Sequence, residues 1–249
     1  MAQAGNQIYD SPRDIPAIIP IFPLEEVLLL PRTQMPLNIF EDRYIAMIDY
    51  AIRNDRIIGM IQPMAESAPE DVTEDLTGDG ATEGTTEADT EGSDDSETQL
   101  QQVGCLGRIS AYGETGDGRV LVTLAGLCRF RIVADVDTEQ PFRMAEVDCE
   151  DFAEDLIEGF GQEAVDRDGL LNIFRAFLDA NDMEADWESV TKSTNEVLVN
   201  SLSMMSPYGI AEKQALLEAG SLALRAETLI AITEMHLASE GGDSPTTLQ

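Results

Sequence analysis

The residues best suited to nucleophilic or phosphate chemistry are the two lysines of this chain, Lys192 and Lys213. A phosphate-binding loop needs Gly-x4-Gly-Lys-Ser/Thr, because backbone N–H groups and the lysine must reach the phosphates together. Ser193 follows Lys192, but Thr191 and Asp186 stand where the two glycines are required. A lysine that acts as a general base needs burial to lower its pKa, and both lysines have polar sequence neighbours. We therefore expect two surface lysines and no nucleotide loop.

Histidine and paired carboxylates offer the other common routes to acid–base or metal chemistry. His236 is the single histidine, so it has no second histidine with which to hold a metal. Asp135 and Asp137 are close in sequence, and we interpret them as solvated charges. Residues 159–164 match G-x-G-x-x-A, but an acidic segment precedes them where a dinucleotide site needs an apolar strand. The sequence predicts no catalytic, cofactor-binding or metal-binding residue, and no cofactor.

Composition restricts the class of partner. The chain has 249 residues, a formal net charge of −33 and 43% apolar residues, which is enough for a folded core. A field of that sign repels nucleic-acid phosphates and anionic lipid head groups. No run of about 20 apolar residues is present, and residues 1–14 lack the basic start and apolar segment of a signal peptide. We expect a cytoplasmic protein that does not bind membranes, and the charge disfavours binding to nucleic acid.

The three cysteines and two of the arginines are also predicted to have structural roles. Cys105, Cys128 and Cys149 are odd in number, widely spaced and set in apolar segments. This pattern is typical of buried, reduced thiols rather than disulfides or a metal site. Arg129 and Arg131 share one face of a predicted strand, and we expect them to pair with carboxylates rather than to form an anion site.

Changes in composition divide the chain into segments. We predict a flexible leader over residues 1–14, a β domain over 15–150, a helical subdomain over 153–238 and a flexible tail over 239–249. Residues 65–98 interrupt the β domain with thirteen acidic residues and no basic one, and their apolar residues are nearly all alanine. Such a segment cannot bury enough surface to offset the entropy of ordering it, so we predict a disordered insertion.

The clearest local pattern lies between residues 31 and 63. Residues 35–40 form a short apolar run with a proline near its start, which is typical of an edge strand. Asp42 can cap a following helix through its carboxylate, and residues 57–61 form a second apolar run. The helix between them is indicated by apolar residues at helical spacing, namely Tyr44, Met47, Ile48, Ala51 and Ile52.

Several further strands are predicted from alternation and turn residues. The prolines of residues 15–24 place that strand at a sheet margin, and a short strand follows over 27–30. After the insertion we predict strands over 103–112, 120–124, 128–136 and 143–148, with a hairpin turn over 114–119 and a break at Ala125-Gly126. Many short strands around one helix indicate a small closed or partly open barrel.

From about residue 153 the apolar period becomes helical. One stripe consists of Leu170, Leu171, Phe174, Phe177 and Leu178. A second consists of Val197, Leu198, Leu202 and Met205, with Ser193 or Thr194 as cap and Glu196 as a capping-box partner. This half of the chain is predicted to be a helical bundle.

Five sequence blocks, taken in order, resemble the Lon N-terminal, substrate-binding domain family. They are PIFPL at residues 20–24, VLLLP at 27–31, MPLNIFEDRY at 35–44, VGCLGRI at 103–109 and GLCRFRI at 126–132. The resemblance implies an α+β fold, with a PUA-like β pseudo-barrel and one packed helix followed by a C-terminal helical bundle. The chain resembles a stand-alone, bacterial-type member of this family that lacks the ATPase and protease domains of a full-length Lon protease. The reason is that neither a nucleotide-binding loop nor a Ser–Lys pair is recognisable in the sequence.

The function implied by the resemblance is polypeptide recognition without catalysis. The chain would be an adaptor or client-binding protein in proteolysis or quality control, with polypeptide clients or a protease or chaperone as partner. Candidate partner-binding residues are Met35, Pro36, Phe40, Arg43 and Tyr44. The alternatives are a PUA-like RNA-binding protein and a small-molecule binder in the groove between barrel and bundle.

The acidic insertion generates the first testable prediction. Deleting residues 65–98 should leave the thermal unfolding midpoint almost unchanged, because closure entropy grows only with the logarithm of loop length. Differential scanning calorimetry of the deletion variant and the full chain makes this comparison. A large fall in the midpoint would show that the segment packs on the folded body.

Overall fold

The computed structural model describes residues 2–4, 7–64 and 98–241. The predicted disorder of the insertion concerns residues that lie, apart from Thr98, outside the described ones, as does most of the predicted tail. The α+β class is confirmed, with a β pseudo-barrel, one helix packed on it and several helices after it.

The elements follow the chain in a simple order. The β half contains β1 (Ala2–Ala4), β2 (Gln7–Tyr9), β3 (Ile18–Pro23), β4 (Gln34–Ile39), α1 (Asp42–Arg53), β5 (Ile57–Ile61), β6 (Val103–Glu114), β7 (Val120–Val136) and β8 (Met144–Asp148). The helical half contains the 3₁₀ segment Glu150–Leu156, α2 (Arg167–Ala180), α3 (Trp187–Lys192), α4 (Asn195–Met205), α5 (Ile210–Glu218) and α6 (Leu222–Gly241).

The long strand β7 closes the barrel. It pairs with β6 along most of its length, with β4 through residues 120–125 and with β8 through residues 131–136. Because β8 pairs with β3, β3 with β5 and β5 with β6, these strands form a ring, and β4 lies at the end of the strand order. One continuous strand therefore pairs with β4 near its start and with β8 near its end.

The predicted break at Ala125-Gly126 is wrong, because β7 continues through it. Gly126 donates its N–H to the carbonyl of Thr33 at 2.9 Å and accepts from the N–H of Arg32 at 2.8 Å. A Cβ at Gly126 would overlap the Leu30 carbonyl oxygen. The glycine is needed for the close approach of the loop before β4, not for a turn.

Two strand predictions in the N-terminal region are also wrong. Residues 27–30 form no strand, and their apolar character reflects the burial of Leu28, Leu29 and Leu30 in a loop. β3 lies between β5 and β8 rather than at the margin of the sheet. Its residues 18–20 pair with β8 and residues 21–23 pair with β5, so neither proline needs ladder partners on both sides.

Residues 2–4 and 7–9 differ from the flexible leader that we expected. β1 and β2 form an antiparallel ribbon, and Tyr9 is buried in the second hydrophobic cluster of the barrel. The guanidinium of Arg108 donates to the Tyr9 hydroxyl at 3.0 Å, which satisfies that buried polar group. A single buried aromatic ring is the physical reason for the difference.

The helix α1 packs on the barrel as its spacing predicts. Tyr44, Met47, Ile48 and Ala51 are buried in the main core. The capping prediction for Asp42 is wrong, because the helix begins at Asp42 and Glu41 occupies the cap position without a side-chain bond. Asp42 lies in the first turn, where a carboxylate interacts favourably with the helix dipole.

The helix α4 begins where predicted but presents a different face. Thr194 is the N-cap, and its hydroxyl accepts from the Val197 N–H at 3.3 Å. Val197 and Met205 are exposed, whereas Glu196 and Asn200 are buried. Glu196 is not a capping partner, because its carboxylate accepts from Arg32 and from the Gly159 N–H.

A buried ion pair joins the barrel to the helical half. Arg129 of β7 donates to Asp155 through Nε and Nη2, each at 2.8 Å, and its backbone N–H donates to the same carboxylate at 3.0 Å. Its Nη1 donates to the carbonyls of Leu217 and Ala219 at the end of α5, at 3.1 and 2.6 Å. The predicted pairing of Arg129 with a carboxylate is confirmed, and the pair is buried rather than exposed.

A second arginine extends this junction. Arg225 donates to the Leu216 carbonyl at 2.8 Å and to Asn200 Oδ1 at 2.9 Å, and Asn200 donates to the Pro31 carbonyl at 3.2 Å. Burial, with a smaller contribution from the Arg129 charge, lowers the pKa of Arg225 to about 10. The loop before β4 and helices α4 and α6 are thereby held to one another.

The three cysteines are buried and unpaired, as predicted. Burial raises the pKa of Cys105 above its ordinary value, so the thiol stays protonated. These side chains contribute to the core as small apolar groups.

The buried pair generates a stability prediction. Asp155→Asn should lower the free energy of unfolding by about 3–5 kcal/mol, because the buried Arg129 charge loses its partner. The matched control is Asp151→Asn, since Asp151 is exposed and lies 3.8 Å from Arg131. The control should change stability by less than about 1 kcal/mol. Urea unfolding followed by circular dichroism measures both, and equal effects would contradict a dominant role for the junction.

Candidate functional site

The structure places the candidate catalytic side chains in structural roles. Lys192 forms an exposed ion pair with Glu188 at 2.5 Å, as expected of a surface lysine. The surface prediction for Lys213 is wrong, because only 8% of the residue is exposed and its Nζ donates to the Glu26 carbonyl at 2.6 Å. Burial lowers the pKa of Lys213 from its ordinary value. The hydrogen bond from Lys213 to Glu26 joins α5 to the turn after β3.

The remaining candidates have ordinary neighbours. The His236 ring lies 6.0 Å from the Tyr208 ring in an edge-on arrangement, and Asp135 pairs with Arg143 at 3.0 Å. Across residues 2–4, 7–64 and 98–241, no group of three histidine, cysteine or acidic side chains is placed to hold a metal ion.

A cleft of about 420 Å³ lies between the ends of β3 and β4 and the start of α1. We call it the β4–α1 cleft; its lining includes Phe22, Leu24, Leu37, Phe40, Arg43 and Tyr44. Pro63, which shortly precedes the acidic insertion, and Thr98, its last residue, also line the cleft. The cleft combines apolar walls with the guanidinium of Arg43 and the carboxylates of Glu25 and Glu41, so it can bury apolar side chains and still bond backbone groups of a ligand.

The cleft brings together three of the five predicted partner-binding residues. Phe40 is 66% exposed, Arg43 is half-buried and Tyr44 forms part of the inner wall. Met35 is instead buried in the barrel core, and Pro36 is exposed along β4 outside the cleft lining. The alternation of β4 explains why Met35 is buried and Pro36 exposed, because neighbouring strand residues point to opposite faces. The three cleft residues follow β4, at its connection to α1 and in the first turn of that helix.

Packing holds the inner wall of the cleft rigid. The rings of Phe22 and Tyr44 lie 4.5 Å apart at an angle of 58°. The Arg43 guanidinium stacks 4.5 Å from the centre of the Tyr44 ring, and its Nη2 lies 2.8 Å from the Glu41 carboxylate. Phe40 projects from this fixed base, so binding there would cost little ordering entropy in the protein.

A second recess, which sequence reasoning missed, lies in the helical half. We call it the helical groove; it has a volume of about 370 Å³ and is walled by α2, α4, α6 and the segment 183–190. Phe174, Phe177 and Val197 line it. The signal in the sequence was the apolar stripe of α2, in which Phe174 and Phe177 remain partly exposed.

A third and larger cleft, of about 760 Å³, lies between the barrel and the helices. Its lining includes Arg32, Gln34, Glu158, Glu196 and Asn200. Arg32 and Glu196 bond to one another, and Asn200 bonds to Pro31 and Arg225. Arg32, Glu196 and Asn200 are therefore already hydrogen-bonded within the protein instead of converging on a ligand.

None of the helices that the structure describes is long and apolar enough to cross a membrane.

Comparison with a family model and with known sequences gives the same family in each case. The family model described as the ATP-dependent protease La (LON) substrate-binding domain matches residues 18–234. Lon protease 2 of Myxococcus xanthus is 28% identical over 137 residues, which are 55% of this chain and 13% of that protein. Lon protease of Dictyoglomus thermophilum is 22% identical over 200 residues, covering 80% of this chain and 20% of that protein. The chain therefore spans one fifth or less of these curated relatives.

Comparison with solved structures supports the fold. A Lon N-terminal domain protein from Xanthomonas campestris has a TM-score of 0.54 and 17% identity, covering 86% of this chain and 97% of that one. The N-terminal domain of Mycobacterium avium complex Lon protease has a TM-score of 0.59 and 18% identity, covering 88% and 99%. At these identities the likeness concerns the fold, and the predicted fold class is confirmed.

Two of the three aromatic residues that line the cleft, Phe40 and Tyr44, should respond differently to substitution. Phe40→Ser should change the free energy of unfolding by less than about 0.5 kcal/mol, because the ring is largely exposed. Tyr44→Ala should cost about 3 kcal/mol, because its ring packs on Phe22 in the core. Chemical denaturation compares the two, and a large loss from Phe40→Ser would show that this ring belongs to the core.

Proposed function

We propose that this chain, which belongs to the ATP-dependent protease La (LON) substrate-binding domain family, recognises polypeptide segments without acting on them chemically. The proposed contact site is the β4–α1 cleft, with Phe40, Arg43 and Tyr44 as binding residues. The observation that carries the proposal is Phe40, a large apolar ring exposed beside an apolar cleft in a family described by substrate binding.

The chemistry of the cleft supports a polypeptide ligand. Apolar side chains of a client can pack on Phe40 and on the half-buried Leu24 and Leu37. Aromatic and arginine side chains are enriched among residues that dominate protein–protein binding energy. The Arg43 guanidinium, whose position is defined by its pair with Glu41 and by stacking on Tyr44, can in addition donate to a client carbonyl. Neither contact requires a cofactor.

The cellular role that we propose follows from the relatives. Two of them are named Lon protease or Lon protease 2, so client binding or an adaptor role in proteolysis or quality control fits this chain. Its partner would be a polypeptide client, or a protease or chaperone that receives the client. We place this activity in the cytoplasm.

The two alternatives have less support. Without the thirteen acidic residues of 65–98 the remaining chain still has a formal charge of about −20 (−33 + 13), which opposes RNA binding. The large cleft between barrel and helices is the place for a small molecule, but Arg32, Glu196 and Asn200 satisfy one another or neighbouring groups there. We therefore favour the polypeptide.

A peptide-binding experiment tests the proposal. The full chain is probed on an array of overlapping 13-residue peptides from unrelated proteins, and the peptides that bind are then titrated by fluorescence anisotropy. Phe40→Ser should weaken binding by about tenfold, equivalent to about 1.4 kcal/mol, because it removes an apolar contact without unfolding the protein.

The matched control is Tyr112→Ser, which removes a partly exposed aromatic ring from β6 outside the cleft lining. The control should bind peptides as the unmodified chain does. Absence of peptide binding, or equal effects of the two substitutions, would contradict the proposed site.

A further inference from the structure

The helical groove has an apolar rim that no other part of the described chain covers. Met183, Val197 and Met205 line it, and all three are exposed, Met205 to 78%. Buried residues such as Leu178 and Leu198 form its floor. Clustering of large exposed apolar side chains around one recess is typical of an interaction surface.

Five of the six hydroxyl groups that line the groove, all except that of Ser201, are hydrogen-bonded within the protein. The hydroxyls of Tyr208 and Thr233 lie 2.7 Å apart. Ser206 Oγ donates to the Leu202 carbonyl at 2.7 Å, and Ser189 Oγ donates to Asp186 at 2.6 Å. A ligand therefore gains affinity in the groove chiefly by burying apolar surface.

Negative charge surrounds one side of the groove. The segment 179–188 has the sequence DANDMEADWE, with five acidic residues and no basic one. Asp186 caps α3 and Glu188 pairs with Lys192, whereas no ion pair in the described part of the chain engages Asp182 or Glu184. These carboxylates are exposed, and they favour a cationic ligand beside the apolar floor.

We infer that the helical groove binds an amphipathic helix with an apolar face flanked by lysine or arginine. This inference rests on the proposed function and names one class of client segment. A second copy of the chain is the poorer occupant, because each copy carries a formal charge of −33 and like charges repel.

The architecture of the groove selects a helix over an extended segment. Its walls are mainly helices α2, α4 and α6, whose backbone groups bond within each helix. An extended ligand would bury N–H and C=O groups that the backbones of these helical walls could not satisfy. A helical ligand satisfies its own backbone and presents residues at i, i+3, i+4 and i+7 to an apolar groove.

Three fluorescein-labelled synthetic peptides of 18 residues test the ligand class on the full chain. The first has a leucine stripe with lysine beside it, the second replaces each lysine by glutamate, and the third replaces each leucine by serine. Fluorescence anisotropy should show binding of the first peptide. The second and third should bind at least about tenfold more weakly at low salt. Equal binding of all three overturns the inference.

Substitutions at the rim locate the site. Val197→Asn together with Met205→Asn should weaken binding of the leucine–lysine peptide by at least about tenfold, and neither change adds charge. The control pair is Leu224→Asn with Met235→Asn, which alters exposed residues of α6 outside the groove lining. The control should bind normally, and equal losses in both pairs would contradict the assigned location.

A second pair of variants tests the charge. Asp182→Asn with Glu184→Gln should weaken binding and reduce its dependence on salt. The control is Asp137→Asn with Glu139→Gln, which neutralises two exposed carboxylates in the β7–β8 connection. The inference fails if both pairs lower affinity equally, because the general charge of the protein would then explain the effect.

Failure of this inference is distinguishable from failure of the proposed function. If the groove variants keep full affinity for the leucine–lysine peptide and Phe40→Ser loses it, the groove assignment is wrong and polypeptide recognition stands. If the unmodified chain binds neither this peptide nor any array peptide, both fail.

Discussion

The bidentate pair between Arg129 and Asp155 is the interaction on which the rest of the structure depends. Arg129 belongs to the strand that closes the barrel, and Asp155 belongs to the 3₁₀ segment that leads into the helices. The same guanidinium bonds the last carbonyls of α5, where a positive charge also favours the helix dipole. The bonds of Arg129 thus hold the barrel against the helices, and residues of both halves form one continuous hydrophobic core.

The closure of the barrel produces the candidate binding surface. β7 has two partners in succession on one side, β4 and then β8. β4 therefore lies at the end of the strand order, and Phe40 emerges where it passes into α1. Gly126 lets the preceding loop approach β7, so the path of the chain into β4 is defined by backbone hydrogen bonds. The exposed ring is consequently carried by a rigid base.

Short-range patterns predicted much of the fold, because they report directly on one buried face. The stripe of α1 and the strand at residues 57–61 are clear examples. Long-range contacts account for the errors. Residues 27–30 were predicted as a strand because they are all apolar, but the structure buries their three leucines in a loop. Lys213 was predicted to lie at the surface because its sequence neighbours are polar. It is instead buried, and its Nζ donates a hydrogen bond to the carbonyl of Glu26, which is distant in sequence.

The binding surface was only partly accessible from sequence for the same reason. Phe40 and Tyr44 are both aromatic, and only tertiary packing makes one exposed and the other buried. The most direct measurement replaces Phe40 with the photoreactive residue benzoylphenylalanine, crosslinks in living cells and identifies the adducts by mass spectrometry. The account predicts adducts with polypeptides, and fewer of them when the same residue replaces Tyr112. Adducts with RNA alone, or an equal yield from both positions, would contradict polypeptide recognition at this cleft.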